Sequence, residues 1–505
     1  MQNASARFAL ALLAAATFAA GMQWGTKAVG GSDSYCYAHQ AERWASLEPQ
    51  KPEPLALEAP WPDAALTFAP AGHIPSPTVP GAIVPICSAG LGLLMAPFLA
   101  IGGPSAIFLV VPLFGALLVV GTGAVGSRYS PAAGLAAAVL TAVSPAFLFQ
   151  LFQPMSDVPA AALWSIAIAA VTAPPRPHTI GAGLATSLAL LVRPNLLPLG
   201  LVIGAALMLR PGASWRERLR DAAAYAGCCA PGCLAVGAIQ QSFYGSPLSS
   251  GYGSLDGLFA AHHVMPNIQR YFGWLWQTHT PIWLLALAAP FVVPGWVTAI
   301  LLGVIAATLA VYLPYTVFED WWYLRFLLPA IPLLLVLTMA VIERGVMRVP
   351  KVRATAMAGV AIVLAVLFVR VADRRQAFDL ARLESRYVAS GRYVADRLPA
   401  DAFVITSWQS GSVRFYSGRR TLAWDALDPG WLDRVVVDSR ARGLEPYLLF
   451  ERWEEPLFRR RFAGSTLAPL DWPPIAEVAS QVRIYRPEDR DRYLAGVNIT
   501  TDYAR

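Results

Sequence analysis

Residues 144–171 read SPAFLFQLFQPMSDVPAAALWSIAIAAV, and this stretch contains the pattern that decides the fold. One apolar run ends near Leu151, a short join contains Asp157, and a second apolar run follows immediately. Apolar runs of this kind are typical of helices that cross a bilayer. The stretch therefore predicts two membrane helices with an acidic residue at the join between them.

The same pattern of apolar runs and short joins extends over the first 371 residues. Of the whole chain, 56% is hydrophobic and only 14% is charged, which is well below the roughly one quarter typical of soluble domains. Several runs are short and joined at prolines, which indicates tilted or broken helices stabilised by their neighbours. The runs lie at about 7–23, 105–126, 132–151, 158–173, 179–192, 196–209, 222–240, 281–297, 298–316, 325–342 and 354–371. The sequence thus predicts a mainly α polytopic membrane protein with about eleven transmembrane helices in residues 1–371.

The positions of arginine and lysine predict the orientation, because cytoplasmic joins are enriched in both. The basic joins contain Arg128, Arg176, the cluster Arg210, Arg216, Arg218 and Arg220, and the cluster Arg344, Arg348, Lys351 and Arg353. All of them face the cytoplasm if the run 82–101 rests at the outer surface as a juxtamembrane helix. The first run is either a span or a cleaved signal peptide, and both interpretations send the next segment outside.

This topology collects polar segments on the outer face. The outer segments are the loop 24–104 with its juxtamembrane helices, the joins 152–157 and 316–324, the loop 241–280 and the tail 372–505. We therefore predict a multi-pass protein of the bacterial inner membrane whose C-terminal domain is periplasmic. An ordinary membrane anchor does not need polar residues there, so we expect the function on that face.

The tail, residues 372–505, is predicted to be a small soluble α/β domain. AFVITSW at 402–408, YLLFE at 447–451 and RIYRP at 483–487 are typical of strands. GWLDRVVVDSRARG at 430–443 is typical of a helix that ends at Gly443, and EEPLFRRRF at 454–462 of a helix start. Alternating strands and helices indicate a packed α/β layer.

Charge, cysteine and histidine patterns limit the class of function. The basic joins account for much of the net charge of +7, and no basic face is interleaved with aromatics, so we expect no nucleic-acid binding. Cys36 and Cys87 can pair in an oxidising compartment, which the sequence leaves open. The adjacent His262 and His263 do not share a helix face, and no paired C-x-x-C spacing occurs. No metal site or cofactor is therefore assigned, and a divalent metal ion stays open.

Two aspartates each follow an apolar run directly. Asp33 lies in GGSDSYCYAHQAERW at 30–44, and Asp157 precedes Pro159. Each has a simple structural interpretation as a helix cap, in which Ser32 or the aspartate itself binds free backbone N–H groups. The functional interpretation is a pair of carboxylates at the outer surface. A helix after Asp33 would place Tyr37 on one stripe with Gln40, Ala41 and Trp44.

Two further outer segments contain polar candidates. FYGSPLSSGYG at 243–253 includes Tyr252 and is either an ordinary turn cluster or a loop whose backbone N–H groups approach an anion. FEDWWYLRFLLPAIP at 318–332 places Glu319 and Asp320 before a tryptophan pair, with Arg325 at the start of a span. Arg325 either snorkels to the surface or binds a lipid phosphate with its planar fork.

Arg193 interrupts the apolar hairpin LLVRPNLLP. A charge inside or beside the membrane is costly unless it meets water or an anion, so an arginine at such a place is a functional candidate.

In their order and common outer placement, these stretches resemble the GT-C glycosyltransferases, specifically bacterial relatives of protein O-mannosyltransferases and of the lipid A aminoarabinose transferase. The resemblance covers nearly all of residues 1–371. It rests on GGSDSYCYAHQAERW at 30–44, SPAFLFQLFQPMSDVPAAALW at 144–164, RPN at 193–195, YGSPLSSGYG at 244–253 and WWYLRFLLPAIP at 321–332. One difference is that Ser34 follows Asp33, where many members have two adjacent acidic residues.

The resemblance implies an enzyme that moves a hexose or pentose from a polyprenyl-phosphate carrier to an extracytoplasmic glycan, lipid or protein. Asp33 matches the first-loop aspartate that activates the acceptor, and Asp157 matches a second acidic position, so both are expected to be catalytic. Arg325 and Arg193 are expected to hold the donor phosphate. The expected substrate-binding residues are Tyr37, Tyr252, Glu319 and Asp320. An enzyme on the outer face has no nucleotide sugar within reach, which agrees with a lipid-linked donor.

Two other classes of function stay open on the sequence. A transporter predicts polar residues near mid-bilayer and repeat symmetry between the two halves, whereas the polar residues here gather outside. A non-catalytic membrane scaffold predicts that Asp33 can be replaced without loss of function.

Overall fold

The computed structural model of the chain describes residues 4–346 and 353–504. Most of these residues are helical, and the apolar runs predicted from the sequence coincide with helices. Arg348 and Lys351, from the predicted cytoplasmic cluster, lie outside the described residues.

The described helices of the first 374 residues differ widely in length. Those before residue 200 are Ala4–Trp24, Asp33–Ala45, Pro54–Glu58, Ala64–Thr67, Ala89–Gly102, Pro104–Leu109, Val110–Gly126, Pro131–Ala142, Pro145–Leu151, Asp157–Val171, Thr179–Val192 and Pro194–Leu196. Those that follow are Leu197–Met208, Trp215–Tyr244, Leu255–Leu258, Ala261–His263, Val264–His279, Pro281–Ala288, Ala289–Val292, Trp296–Tyr312, Trp321–Leu327, Ile331–Val346 and Arg353–Arg374.

Only some of these helices are long enough to cross a bilayer alone. Within the described residues, four helices meet the length and hydropathy expected of a span: Ala4–Trp24, Pro104–Gly126, Trp215–Tyr244 and Thr355–Arg374. Counting each bent pair of helices as one span gives up to six. The other predicted runs form apolar helices of 10–17 residues. The count of about eleven transmembrane helices therefore stays a prediction.

Two predicted spans are bent helix pairs. The run 132–151 divides at Pro145 into helices inclined by 57°, and the Ser144 hydroxyl accepts the Phe147 N–H at the start of the second helix. The run 325–342 consists of the 3₁₀ helix Trp321–Leu327 and a following helix inclined by 78°. Such breaks leave backbone groups that only neighbouring protein or a water-filled cavity can satisfy within a membrane.

A disulfide within the outer loop 24–104 joins the first helix of this loop to the start of its last long helix. The helix Asp33–Ala45 contains Cys36, which is bonded to Cys87 just before the helix Ala89–Gly102. The latter coincides with the apolar run expected at the outer surface. At 14 residues it spans about 21 Å, which is shorter than a hydrocarbon core of about 30 Å. Between the two helices, strands β1 (His73–Pro75) and β2 (Ile83–Pro85) form an antiparallel hairpin.

The tail contains a six-stranded sheet. Its strands are β3 (Ala402–Ile405), β4 (Arg420–Leu422), β5 (Glu445–Glu451), β6 (Ala476–Val478), β7 (Val482–Tyr485) and β8 (Asp502–Ala504). Their order in the sheet is β4-β3-β5-β7-β6-β8, and β3 pairs in parallel with both β4 and β5. The helices of the tail are Ala377–Asp379, Leu380–Arg397, Ser410–Ser417, Pro429–Trp431, Leu432–Ala441, Glu455–Arg461 and Glu488–Leu494.

The two faces of this sheet are covered differently, because successive side chains of a strand point to opposite sides. Val404 faces the helix Leu380–Arg397 through Val394. Phe403 and Ile405 share a core with the helices that follow β4 and β5, and also with outer-loop residues that include Phe68. The backbone N–H of Ala423 donates to the Thr67 carbonyl at 2.7 Å. The outer loop and the tail therefore form one packed unit above the membrane helices.

Candidate functional site

Four charged side chains from distant parts of the chain meet where the outer loop contacts the helices that follow it. Arg325 donates through Nη2 to Asp33 Oδ2 at 3.1 Å, and Arg193 donates through Nη2 to Asp157 Oδ1 at 2.6 Å. Arg325 Nη1 also lies 4.0 Å from Asp157 Oδ2. The four charges compensate one another, so this group can be held at a membrane boundary where an unpaired charge would be costly.

Both aspartates begin helices, but neither side chain caps its helix. Asp33 is the first residue of Asp33–Ala45, and Asp157 is the first residue of Asp157–Val171. At both ends the cap position is a serine without a side-chain cap hydrogen bond. The helix-cap interpretation of Asp33 and Asp157 is therefore wrong. Their carboxylates bind arginines instead, and the positive end of each helix dipole adds to that stabilisation.

Arg193 lies at a break between two helices, which exposes its side chain toward the site. It follows the helix Thr179–Val192 and precedes Pro194, which cannot donate a backbone hydrogen bond. Its guanidinium also donates to Ser156 Oγ at 3.2 Å and to Tyr312 Oη at 3.1 Å. These contacts fix the orientation of the Arg193 fork.

Arg325 lies in the 3₁₀ helix Trp321–Leu327, with only 14% of its side chain exposed. The rings of Tyr323 and Phe326 lie 5.2 Å and 5.4 Å from its guanidinium carbon, within the range of cation–π attraction. Its Nε atom and Asp157 Oδ2 are both buried without a hydrogen-bond partner among the described residues. Arg325 thus has donor capacity beyond its contact with Asp33.

The structure brings the predicted tyrosines to this site. Tyr37 is buried, and its hydroxyl donates to Ser156 Oγ at 2.8 Å. Burial, together with the neighbouring Asp33 carboxylate, raises the pKa of Tyr37 to about 12, so the phenol stays protonated as a donor. Tyr252 lies in the loop after the helix Trp215–Tyr244 and contributes a partly exposed side chain to the cavity described next.

A cavity of about 1960 Å³ contains the site. Asp33, Arg193 and Arg325 line it, whereas Asp157 lies behind them and does not. One wall is an apolar stretch of the helix Trp215–Tyr244 that includes Leu234 and Val236. The cavity continues past the site to the tail, where Tyr387, Trp408, Glu451 and Trp453 line it.

Glu319 and Asp320 are not brought to the site. Both are exposed and lie outside the cavity lining, and Glu319 forms a 3.5 Å ion pair with Arg270. Both residues precede the 3₁₀ helix Trp321–Leu327, whereas Arg325 lies within that helix and lines the cavity. The structure therefore gives these two acidic residues no contact with a substrate in the cavity.

Several cavity residues carry no signal that sequence reasoning could use alone. Tyr312 ends the apolar helix Trp296–Tyr312 and accepts from both Arg193 and Asn195. Ser156 directly precedes Asp157, and Asn195 lies two residues after Arg193. This closeness to a candidate residue is the signal in the sequence that could have identified them. Arg374 and Arg375 add basic groups to the cavity from the end of the helix Arg353–Arg374.

No group of three or more histidine, cysteine, aspartate or glutamate side chains suited to a metal ion occurs in residues 4–346 and 353–504. The arginine–aspartate group and its tyrosine and serine neighbours form the polar centre of the cavity. It offers two guanidinium forks, one carboxylate that faces the cavity, and an apolar wall.

Comparison with solved structures identifies the fold. ArnT from Cupriavidus metallidurans bound to undecaprenyl phosphate is 12% identical, with a TM-score of 0.58 over 94% of this chain and 97% of that one. The mycobacterial arabinofuranosyltransferase AftD is 16% identical, with a TM-score of 0.52 over 89% of this chain and 35% of that one. AglB from Archaeoglobus fulgidus, in complex with an inhibitory peptide and a dolichol-phosphate, is 11% identical with a TM-score of 0.52, covering 93% of this chain and 72% of that one.

At the level of sequence, no family model and no curated protein matches the chain. The structural likeness nevertheless extends over nearly the whole of this chain and of ArnT. The chain has the fold of the GT-C glycosyltransferases, and the resemblance found in its motifs is confirmed at that level.

Proposed function

We propose that this protein is a membrane glycosyltransferase that moves a sugar from a polyprenyl-phosphate donor to an extracytoplasmic acceptor. The observation that carries the proposal is the convergence of Arg193, Arg325 and Asp33 in one cavity with an apolar wall. Each feature matches one part of such a reaction: the forks suit a phosphate, the wall suits a prenyl chain, and the carboxylate suits a proton acceptor.

The donor phosphate would bind between the two guanidinium groups. Arginine forms paired, charge-assisted hydrogen bonds with phosphate oxygens. Arg193 is held by Asp157, Ser156 and Tyr312, and Arg325 keeps a buried Nε without a hydrogen-bond partner among the described residues. The prenyl chain would then follow the apolar stretch around Leu234 of the helix Trp215–Tyr244.

Donor binding would also prepare the base. Asp33 accepts from Arg325 at 3.1 Å, and a phosphate that approaches Arg325 competes with Asp33 for the same donors. As the guanidinium turns to the phosphate, the Asp33 carboxylate becomes free to accept a proton. The donor would therefore activate the residue that deprotonates the acceptor.

The reaction is a displacement at the anomeric carbon. The acceptor oxygen forms the new bond to that carbon while its proton passes to Asp33, and the bond from the carbon to the phosphate oxygen breaks. Polyprenyl phosphate leaves with the electron pair of that bond, and Arg193 and Arg325 stabilise its additional negative charge. No oxidant or reductant is required.

Asp157 would act through the arginines. Its side chain is fully buried and does not line the cavity, so it cannot reach an acceptor. We therefore assign it a positioning role, in which it compensates and orients Arg193, and not the direct catalytic role expected from the sequence. Tyr37 and Tyr252 would contact the substrate, while Glu319 and Asp320 are assigned no role.

Cellular placement follows from the same features. The Cys36–Cys87 disulfide lies one helical turn from Asp33, and disulfides persist in oxidising compartments such as the bacterial periplasm. This supports an inner-membrane protein with the site and the tail on the periplasmic side. The solved structures of ArnT with undecaprenyl phosphate and of AglB with dolichol-phosphate show that this fold holds polyprenyl-phosphate lipids in those proteins.

The proposal is tested by donor binding and by product formation. Purified full-length protein in nanodiscs should bind undecaprenyl phosphate. Arg325→Ala should weaken that binding about 10- to 100-fold, the loss expected for hydrogen bonds to a charged group. Arg325→Lys keeps the positive charge but loses the planar guanidinium fork. Its affinity for undecaprenyl phosphate should therefore lie between those of the wild type and Arg325→Ala. Arg270→Ala, which removes an arginine outside the cavity, is the matched control.

Cells with and without the gene should differ in lipid-linked sugars and in one envelope glycan, glycolipid or glycoprotein. Equal binding of undecaprenyl phosphate by wild type and Arg325→Ala would refute the phosphate role. Identical envelope profiles in the two strains would refute the transferase.

A further inference from the structure

The cavity has a second polar region, formed by the tail, that the proposed chemistry does not use. Trp408 and Trp453 line it with 39% and 51% of their surfaces exposed. Their ring centroids are 5.9 Å apart and their planes are inclined by 77°. In a folded domain with a buried core of its own, two tryptophans exposed side by side in a cavity suggest ligand contact.

The indole N–H groups of this tryptophan pair are already bonded. Trp408 Nε1 donates to Tyr387 Oη at 2.5 Å, and Trp453 Nε1 donates to Glu451 Oε2 at 2.9 Å. Glu451 is itself fixed by Gln409 and Arg386, at 2.9 Å and 3.0 Å. The rings are therefore held in place, and what they offer to the cavity is the apolar carbon surface of the indoles.

The tryptophan pair lies next to the proposed base. A Cβ atom at Gly31 would lie 3.7 Å from the Trp408 ring, and a Cβ atom at Gly30 would lie 2.1 Å from the Tyr387 ring. Gly30 and Gly31 lead directly to Asp33 through Ser32. The absence of a side chain at Gly30 thus allows Tyr387 of the tail to approach the segment that carries the base.

The groups around the rings suit a neutral, hydroxyl-rich ligand. Glu384, Arg386 and Gln481 line the same end of the cavity and supply carboxylate, guanidinium and amide groups for hydroxyls. With Glu451, these groups contain two carboxylates and one guanidinium, which disfavours a strongly anionic ligand. The face of an indole ring is electronegative and attracts the C–H groups on the flat side of a sugar ring.

We infer that Trp408 and Trp453 form a stacking platform for a saccharide unit of the acceptor, so that this enzyme glycosylates a carbohydrate. The inference rests on the proposed function, since it names the acceptor class of the same cavity. The donor occupies the apolar wall and the two arginines, and the platform receives the acceptor from the tail side, beside Asp33. A peptide acceptor is the competing outcome.

Saccharide binding to the full-length protein in nanodiscs, measured by saturation-transfer NMR without donor, tests the inference. The probes are mannotriose, chitotriose, an arabinofuranosyl trisaccharide and a neutral octapeptide. At least one trisaccharide should bind at millimolar concentration. Trp453→Ala should weaken that binding about threefold to tenfold, the contribution of one aromatic contact, whereas Trp453→Phe should retain most of it. Trp215→Ala, an exposed tryptophan outside the cavity, is the matched control.

Binding of undecaprenyl phosphate, measured on the same samples, separates this inference from the proposed function. It should be the same in wild type and Trp453→Ala. A wild-type protein that binds none of the trisaccharides, equal saccharide binding in Trp453→Ala, or Trp453-dependent binding of the octapeptide alone would each overturn the platform. Loss of undecaprenyl phosphate binding in Trp453→Ala would also overturn it, by placing the tryptophans at the donor. Failure of the wild type to bind undecaprenyl phosphate would refute the proposed function while the saccharide result still decides the platform.

Discussion

Replacing each of the two aspartates by asparagine should produce opposite phenotypes, although both carboxylates bind an arginine. Asp157 is fully buried and lies 2.6 Å from Arg193. Asparagine at this position can still accept a hydrogen bond, but it leaves the positive charge of a nearly buried arginine without its carboxylate partner. Breaking a buried ion pair in this way costs about 3–5 kcal/mol, so Asp157→Asn should mainly lower stability.

Asp33 differs in its exposure. Its side chain is 32% exposed and lines the cavity, so its pair with Arg325 is partly screened by solvent. A pair of that kind contributes about 1 kcal/mol or less. As the proposed general base, however, Asp33 should contribute about 10²- to 10⁴-fold to the rate. Asp33→Asn should therefore retain stability and lose activity.

The assay pairs thermal unfolding of each purified variant in detergent with formation of the envelope product in cells, normalised to protein level. Asp157→Glu, which restores the charge, should recover part of the stability. An Asp33→Asn variant with activity within about threefold of wild type would refute the role of this residue as base. An unchanged unfolding midpoint in Asp157→Asn would refute the assignment of Asp157 to positioning.

Three further predictions concern the outer loop and the tail that packs against it. Replacing Cys36 and Cys87 by serine opens a loop of 51 residues and should cost about 4 kcal/mol, read as a lower unfolding midpoint in non-reducing buffer. Burial raises the pKa of Glu454 to about 7, so the folded chain binds this proton more tightly than the unfolded chain. The free energy of unfolding should then fall by up to about 3 kcal/mol as pH rises from about 4.5 to 7, and level off above 7; Glu454→Gln should flatten that profile. Gly30→Ala places a Cβ atom 2.1 Å from the Tyr387 ring and should cost about 1–3 kcal/mol and reduce activity without weakening undecaprenyl phosphate binding.

Each of these has a decisive contrary result. Equal midpoints of the double serine variant and wild type under oxidising conditions would contradict the disulfide. A Glu454→Gln profile with the same slope as wild type would assign the pH dependence to other groups. Full activity and stability of Gly30→Ala would show that the segment before Asp33 can move away from Tyr387.

The apolar helices and the alternating strands and helices of the tail could be predicted because each follows from a short continuous segment of sequence. A continuous hydrophobic run indicates by its own composition that the helix lies in lipid. The predicted segments coincide with helices from Ala4–Trp24 to Arg353–Arg374. Likewise, AFVITSW contains strand β3 and YLLFE lies within strand β5, and these two strands are adjacent and parallel. The length of a helix within a bundle depends also on how it packs against its neighbours, which a single run of residues does not show. Several predicted runs accordingly form helices too short to cross a bilayer alone.

The site was only partly readable. Asp33, Asp157, Arg193 and Arg325 each stood out as a charge beside an apolar run, but the two aspartates and Arg325 also had an ordinary structural explanation. Glu319 stood out equally, but it is exposed and lies outside the cavity lining, and a sequence does not show which residues beside a short 3₁₀ helix face a cavity.

The sequence by itself determined that this chain is a multi-pass membrane protein, since bilayer insertion depends on composition along continuous segments. The gathering of its polar segments on one face stays a prediction. Only the tertiary structure decided that Asp33 meets Arg325 across 292 residues, that Cys36 pairs with Cys87, and that the tail's tryptophans reach the same cavity. Such pairings depend on how helices pack and where they break. These are properties of the whole fold, and no local run of residues encodes them.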